Sequence, residues 1–175
     1  MSAYVIGPGD GRSILNNFVI FKLAGEQTGQ NLAIVEHVLA PGELGAPLHT
    51  HGREDEYSFV IAGEMTVLIG DELATAQPGS LVLKPRGIAH TFMNRGESPL
   101  RLLEIISPGG FERYFDELAQ LFAAGHGQPD PAALLGLARR YELQMDMSSL
   151  ATIIPRYGVR LPGTPAQPAG HGQPA

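Results

Sequence analysis

Pro47-Leu48-His49-Thr50-His51-Gly52-Arg53-Glu54-Asp55-Glu56-Tyr57 places two histidines two residues apart, then a polar turn that ends in carboxylates. On an extended strand, side chains two apart leave the same face, so His49 and His51 present two imidazoles to one side, as two ligands of one ion require. Glu54 and Glu56 share a parity, with Asp55 between them. Glu56 opens the next apolar run, and a strand pairing back beside the histidine strand brings its carboxylate to the same ion. Glu54 and Asp55 compete for that role. His90 follows Lys84-Pro85-Arg86-Gly87-Ile88-Ala89 at the start of a further strand, and closure of a sheet into a barrel delivers it as a fourth ligand. Three neutral imidazoles and a carboxylate suit Fe, Mn, Co, Ni or Zn. Such a set leaves one or two positions open on a five- or six-coordinate ion, which points to catalysis rather than to a structural site.

The sequence around these residues is strand-like from about Asn17 to Ile106. Short apolar runs, Phe18–Phe21, Ala33–Val35, Ser58–Ile61, Met65–Ile69, Leu81–Leu83 and Leu100–Ile106, are rich in β-branched residues. Turn signals such as Pro41-Gly42, Gly70-Asp71, Pro78-Gly79 and Arg95-Gly96 separate them. That spacing predicts antiparallel strands closed into a sandwich or barrel.

Two longer patterns then coincide. Gly42, His49, His51, Glu56 and Gly63 resemble the first cupin motif, with six rather than five residues between Gly42 and His49. Gly79, Pro85, Gly87, His90 and Asn94 match the second motif at every spacing. The resemblance covers roughly Phe18 to Ser107. It implies an all-β fold, a cupin jelly roll (double-stranded β-helix), here with a short C-terminal helical extension. The spacing to Gly63 selects Glu56 as the carboxylate ligand and leaves Glu54 and Asp55 as solvated turn charges. Gly63, Gly79 and Gly87 are expected in turns of positive φ, Pro85 fixes the loop that aims His90, and Asn94 bonds backbone near the site. His37 is read as a satisfied polar residue, and Phe111, Tyr114 and Phe115 as core. Phe92 and Ser58 are taken as substrate-pocket residues.

Beyond the barrel, Pro108-Gly109-Gly110-Phe111-Glu112-Arg113-Tyr114-Phe115 resembles bacterial single-domain cupins related to quercetin 2,3-dioxygenase. That likeness implies an oxidoreductase, a dioxygenase cleaving a flavonol-like or other enolic or phenolic small molecule. It also implies one divalent transition metal per chain and Glu56 as the catalytic base. Two other classes stand beside it: a metal-dependent isomerase, cyclase or decarboxylase that uses no O2, and a non-catalytic small-molecule-binding cupin. A homodimer is expected, because cupins commonly associate through sheet edges.

The domain reading is a cupin barrel over 1–110, a helical extension over 111–145, and an extended, largely disordered tail over 146–175. Apolar positions 111, 114, 115, 118, 121 and 122 follow helical spacing. A second helix starts with Asp130 as N-cap and Pro131 at its first position and runs to about Tyr141. The tail is rich in Pro, Gly, Ala and Gln. AGHGQP occurs at 124–129 and again at 169–174, and is read as linker composition, with no ligand role for His126 or His171. A formal charge of −6 argues against nucleic acid or an anionic membrane as partner, since both need clustered basic residues. The absence of cysteine excludes thiolate sites and disulfides. With no signal-like start and no apolar run of about 20 residues, a cytoplasmic protein with a small-molecule substrate is expected.

Overall fold

Residues 100–107 alternate buried and half-buried without a break, the mark of a strand with one face in a core. The computed structural model describes residues 5–164. Its strands are β1 (Arg12–Ile14), β2 (Val19–Leu23), β3 (Ala33–Leu39), β4 (Leu48–His51), β5 (Asp55–Ala62), β6 (Met65–Ile69), β7 (Glu72–Ala76), β8 (Leu81–Lys84), β9 (His90–Met93), β10 (Leu100–Ser107) and β11 (Leu143–Asp146). The helices are α1 (Glu112–Ala124), α2 (Pro131–Arg140) and α3 (Leu150–Tyr157). Two antiparallel sheets face each other, one in the order β1-β2-β3-β10-β5-β8 and the other β11-β4-β9-β6-β7. This is the jelly roll that the motifs imply.

Turn geometry follows the expectation. Gly63, Gly79 and Gly87 all have positive φ, and at Gly63 a Cβ would lie 2.5 Å from the Pro99 carbonyl, so both conformation and space require glycine. Asn94 donates to the Leu39 and Ser98 carbonyls and accepts from the Gly96 N–H, tying β9 to its neighbours.

The extension is more than helical. Asp130 caps α2 by accepting from Ala133 N–H, with Pro131 in the first turn. After α2 the chain returns as β11 and pairs with β4, Leu143 opposite His51 and Met145 opposite His49. It therefore completes the sheet that carries the two histidines. Phe111, Tyr114, Phe115, Leu137 and Leu143 share a core cluster with Val19, Val35 and Ile106 of the barrel, so α1 closes one end of it.

The supposedly extended tail also holds structure. Residues 147–149 form a 3-10 turn, whose cap Asp146 accepts from Ser148 and Ser149 N–H, and α3 follows. Ile153, together with Val159, packs on Leu44 and Met93. Helical spacing of Leu150, Ile153 and Tyr157 outweighs the Pro-rich composition that suggested an extended chain. Residues 165–175, including the second AGHGQP and His171, lie outside the described residues. In the first repeat, Ala124 ends α1 and the remainder makes the turn toward α2. No helix among the described residues is long and apolar enough to cross a membrane.

Candidate metal centre

Cross-strand register assembles the site. His49 on β4 pairs directly with His90 on β9, and residues directly opposite share a face. His51 lies two positions along β4 and also faces inward. On the other sheet, Glu56 on β5 pairs with Lys84 on β8, and Ser58 pairs with Glu104 on β10. Ligand atoms of His49, His51, Glu56 and His90 all lie within 4.8 Å of one another, and all four residues are buried. The four residues taken from the sequence as ligands are thus brought together.

Two of the three rings are aimed by their other nitrogen. His49 Nδ1 donates to the Pro47 carbonyl at 2.8 Å and His90 Nδ1 to the Ile88 carbonyl at 3.0 Å, which fixes the tautomers and leaves Nε2 for an ion. His51 Nδ1 faces Glu54 Oε2 at 3.5 Å, too long for a hydrogen bond, and neither atom has another partner. Nε2 of His51 and of His90 approach Glu56 at 3.4 and 3.2 Å. Burial, with the neighbouring rings, holds His49 well below the usual imidazole range, and burial lowers His90 too. These rings are therefore neutral, as ligation demands. Burial pushes the Glu56 carboxyl up, but the Lys84 ammonium, His51 and His90 outweigh it and hold it well below the usual range. Neutral imidazoles with free Nε2 beside one carboxylate anion fit a divalent first-row ion.

Behind the ligands lies a charged layer that sequence reasoning did not find. Lys84 is fully buried. Its Nζ is 2.9 Å from Glu56 Oε2 and 2.6 Å from Glu104 Oε2. Burial lowers its pKa, but the two carboxylates more than offset this and raise it, so the ammonium persists. Burial, reinforced by Glu56, pushes Glu104 up to about 7 against the pull of Lys84. A signal was present in the sequence. Glu104 shares the parity of Leu100, Leu102 and Ile106, and Lys84 that of Val82, so both are charges at inward positions of apolar strands.

A cavity of about 700 Å³ opens onto the ligands, within the range of small-molecule sites. His49, His51 and Glu56 line one part of it; Glu104, His37 and Phe92 continue the wall. Phe92 is thus a wall residue, backed by Gly45, where a Cβ would lie 2.4 Å from its ring. Ser58 is not among the wall residues: fully buried, it donates its hydroxyl to Glu104 at 2.9–3.1 Å. Two further readings need correction. Glu54 is buried beside His51 rather than solvated. His37 is not satisfied, for among the described residues its Nδ1 is buried and completes no hydrogen bond. Asp55 remains a half-exposed charge, accepting from the backbone N–H and guanidinium of Arg86. Phe111, Tyr114 and Phe115 serve as both core and cavity wall.

Residues 35–106 match the cupin domain family. The tetracenomycin polyketide synthase protein TcmJ of Streptomyces glaucescens is 31% identical over 87 residues, covering 49% of this chain and 58% of that protein. An uncharacterized protein of Streptomyces coelicolor is 38% identical over 55 residues, 31% of this chain and 51% of its own length. The chain spans between 16% and 58% of the length of the curated relatives it matches. Among solved structures, a predicted oxalate decarboxylase from Thermotoga maritima aligns with TM-score 0.49 at 22% identity, over 51% of this chain and 78% of that one. KdgF from Halomonas sp. aligns with TM-score 0.48 at 17% identity, over 59% and 99%. The barrel built around residues 35–106, with its buried three-histidine, one-glutamate cluster, is thus similar to cupin domains over that stretch.

Proposed function

We propose that this protein is a metal-dependent enzyme that binds a planar enol or phenol as its anion and opens the ring with O2, in the manner of quercetin 2,3-dioxygenase-like cupins. The observation that carries the reading is the placement of His49, His51 and Glu56 on the wall of an aromatic-sided cavity. When bound, a divalent ion supplies Lewis acidity toward the substrate oxygen and, if redox-active, a route to dioxygen. The chain's own residues do the rest. His49 and His90 stay neutral and fixed in tautomer. Glu56 accepts the hydroxyl proton through a carboxylate oxygen, and Lys84 keeps that carboxylate ionised between turnovers. Phe92 and Phe111 give flat apolar faces to the cavity, and such faces exclude water.

A second reading, cyclisation, isomerisation or decarboxylation without O2, is favoured by Glu104. This carboxyl lines the cavity, and burial raises it to about 7, in the range suited to exchanging a proton with substrate. The likeness to a polyketide synthase protein supports a polyketide substrate under either reading.

The test has two arms. Purified protein is expected to hold close to one transition metal per chain, and His49→Ala or His90→Ala to bind it at least ~100-fold more weakly, as read by elemental analysis and metal titration. Full retention in both variants defeats the site. An oxygen electrode with flavonols and related enols separates the reactions: turnover without oxygen uptake rejects the dioxygenase, and Glu56→Gln with unchanged turnover rejects Glu56 as base.

A further inference from the structure

His37 stands at an inward position of β3, opposite Leu102 of β10 and Val19 of β2. It is 4% exposed and lines the same cavity as the ligands; the Phe18 carbonyl lies beside the ring, yet among the described residues Nδ1 completes no hydrogen bond of good geometry. Three rings from three separate segments collar it: Phe18 at 5.0 Å between centroids, Phe92 at 5.5 Å and Phe115 of α1 at 5.5 Å. A buried polar atom with no partner costs stability, and native proteins tolerate few of them without a use.

The chemistry of the surroundings narrows what the missing partner is. Burial lowers the His37 pKa to about 4, so the ring is neutral and offers one N–H and one lone pair. Among the described residues, the charged groups on the cavity wall are Glu43, Glu56 and Glu104, and no Arg or Lys lines it. A phosphate or a second carboxylate on the ligand therefore finds no cation away from the metal ligands, while a neutral hydroxyl or keto group finds an imidazole.

We propose that His37 is a second anchor in this cavity, hydrogen-bonding a neutral hydroxyl or keto oxygen of an aromatic ligand held at its other edge by the metal centre. The substrate class is then a flat, multiply oxygenated aromatic of more than one ring, and neither a sugar phosphate nor a small dicarboxylate. The inference rests on the reading of the substrate as an enol or phenol and adds the requirement for a remote neutral oxygen. His37 acts as a positioning residue, selecting the ligand without touching the reacting atoms.

The experiment compares wild type, His37→Phe and His37→Gln, each with its metal content measured, in two assays. The first is thermal unfolding without ligand. Since Nδ1 completes no well-formed hydrogen bond in the free protein, His37→Phe is expected to melt at the wild-type temperature or above. A fall of several degrees, restored in His37→Gln, makes the ring a satisfied structural group and overturns the anchor. The second assay titrates quercetin, with hydroxyls on its outer rings, against 3-hydroxyflavone, which keeps only the chelating keto-enol edge. Wild type is expected to favour quercetin about tenfold, His37→Phe to bind both alike, and His37→Gln to keep most of the preference, all with unchanged metal content. A preference that survives His37→Phe, or equal weakening of both ligands, overturns the anchor. Failure of wild type to bind either flavonol overturns the enolic class, and with it the proposed function, whatever the melting result.

Discussion

The two sheets reach the site from opposite sides with different chemistry. The five-stranded sheet brings His49, His51 and His90; His49 and His90 are pinned by carbonyls only two residues back along the chain, in the loops that enter their strands. The six-stranded sheet brings Glu56, Lys84 and Glu104, whose partners come from β5, β8 and β10. A neutral imidazole with one hydrogen bond is cheap to bury and needs nothing from a distant strand. A charge is tolerated in the interior only when paired and hydrogen-bonded. One side of the site is thus locally determined and the other depends on three strands arriving in register. The two sides should therefore fail differently: loss of a histidine costs the ion, loss of a charge costs the fold.

Lys84→Met tests this most severely. It removes the cation shared by Glu56 and Glu104 while keeping most of the side-chain volume. Breaking a buried pair from one side leaves uncompensated charge and costs about 3–5 kcal/mol, to be read from urea unfolding of metal-free protein. Adding Glu104→Gln should return part of that loss, because one of the two stranded carboxylates is gone. His90→Ala in the same assay should cost less than Lys84→Met. A stable Lys84→Met protein breaks the comparison between the sheets.

A finer test sets a buried imidazole against a buried carboxyl by pH. His37 falls from the usual 6.5 to about 4 in the fold, so its neutral form is favoured; its contribution to stability is present above 6.5 and lost as pH falls toward 4. Glu104 rises from 4.5 to about 7, so its protonated form is favoured; its contribution is present below 4.5 and lost as pH rises through 7. Between 4.5 and 6.5 the two oppose each other. His37→Phe should make stability fall less on acidification, and Glu104→Gln should make it fall more, each by at most ~1.4 kcal/mol per pH unit. Slopes that move in the same direction would show that the two groups do not differ as described.

The same contrast explains what was legible in the sequence. The histidines could be placed because parity along β4, motif spacing and short-range geometry suffice to aim them. Met65–Ile69 was readable to the residue, for its apolar run has turns at both ends. β7 was not, since four of its five residues are exposed on a sheet edge and carry no apolar pattern. β11 was hidden behind a helix, its pairing with β4 being a contact across about 90 residues of chain that no local signal encodes. Lys84 and Glu104 were missed, and His37 misread, for one reason. Each occupies an inward position of a strand, His37 and Lys84 just past the apolar run that marked it, and only the register of β3, β5, β8 and β10 shows which charges meet and which nitrogen is left alone.

Ser58→Ala is the mildest change and separates a structural role from a pocket role. The sequence puts Ser58 two residues from Glu56 at the same parity, which makes it look like a wall residue. Its hydroxyl instead donates to Glu104 from the neighbouring strand, inside the charged layer. Removing that donor should cost about 1 kcal/mol of stability, leave metal content at wild type, and leave flavonol binding unchanged, since the residue is absent from the cavity wall. The Glu104 carboxylate would lose a donor that favours its ionised form, so the stability loss should grow as pH rises toward 7. Weakened flavonol binding with unaltered stability would move Ser58 back to the pocket and shrink the charged layer to Glu56, Lys84 and Glu104 alone.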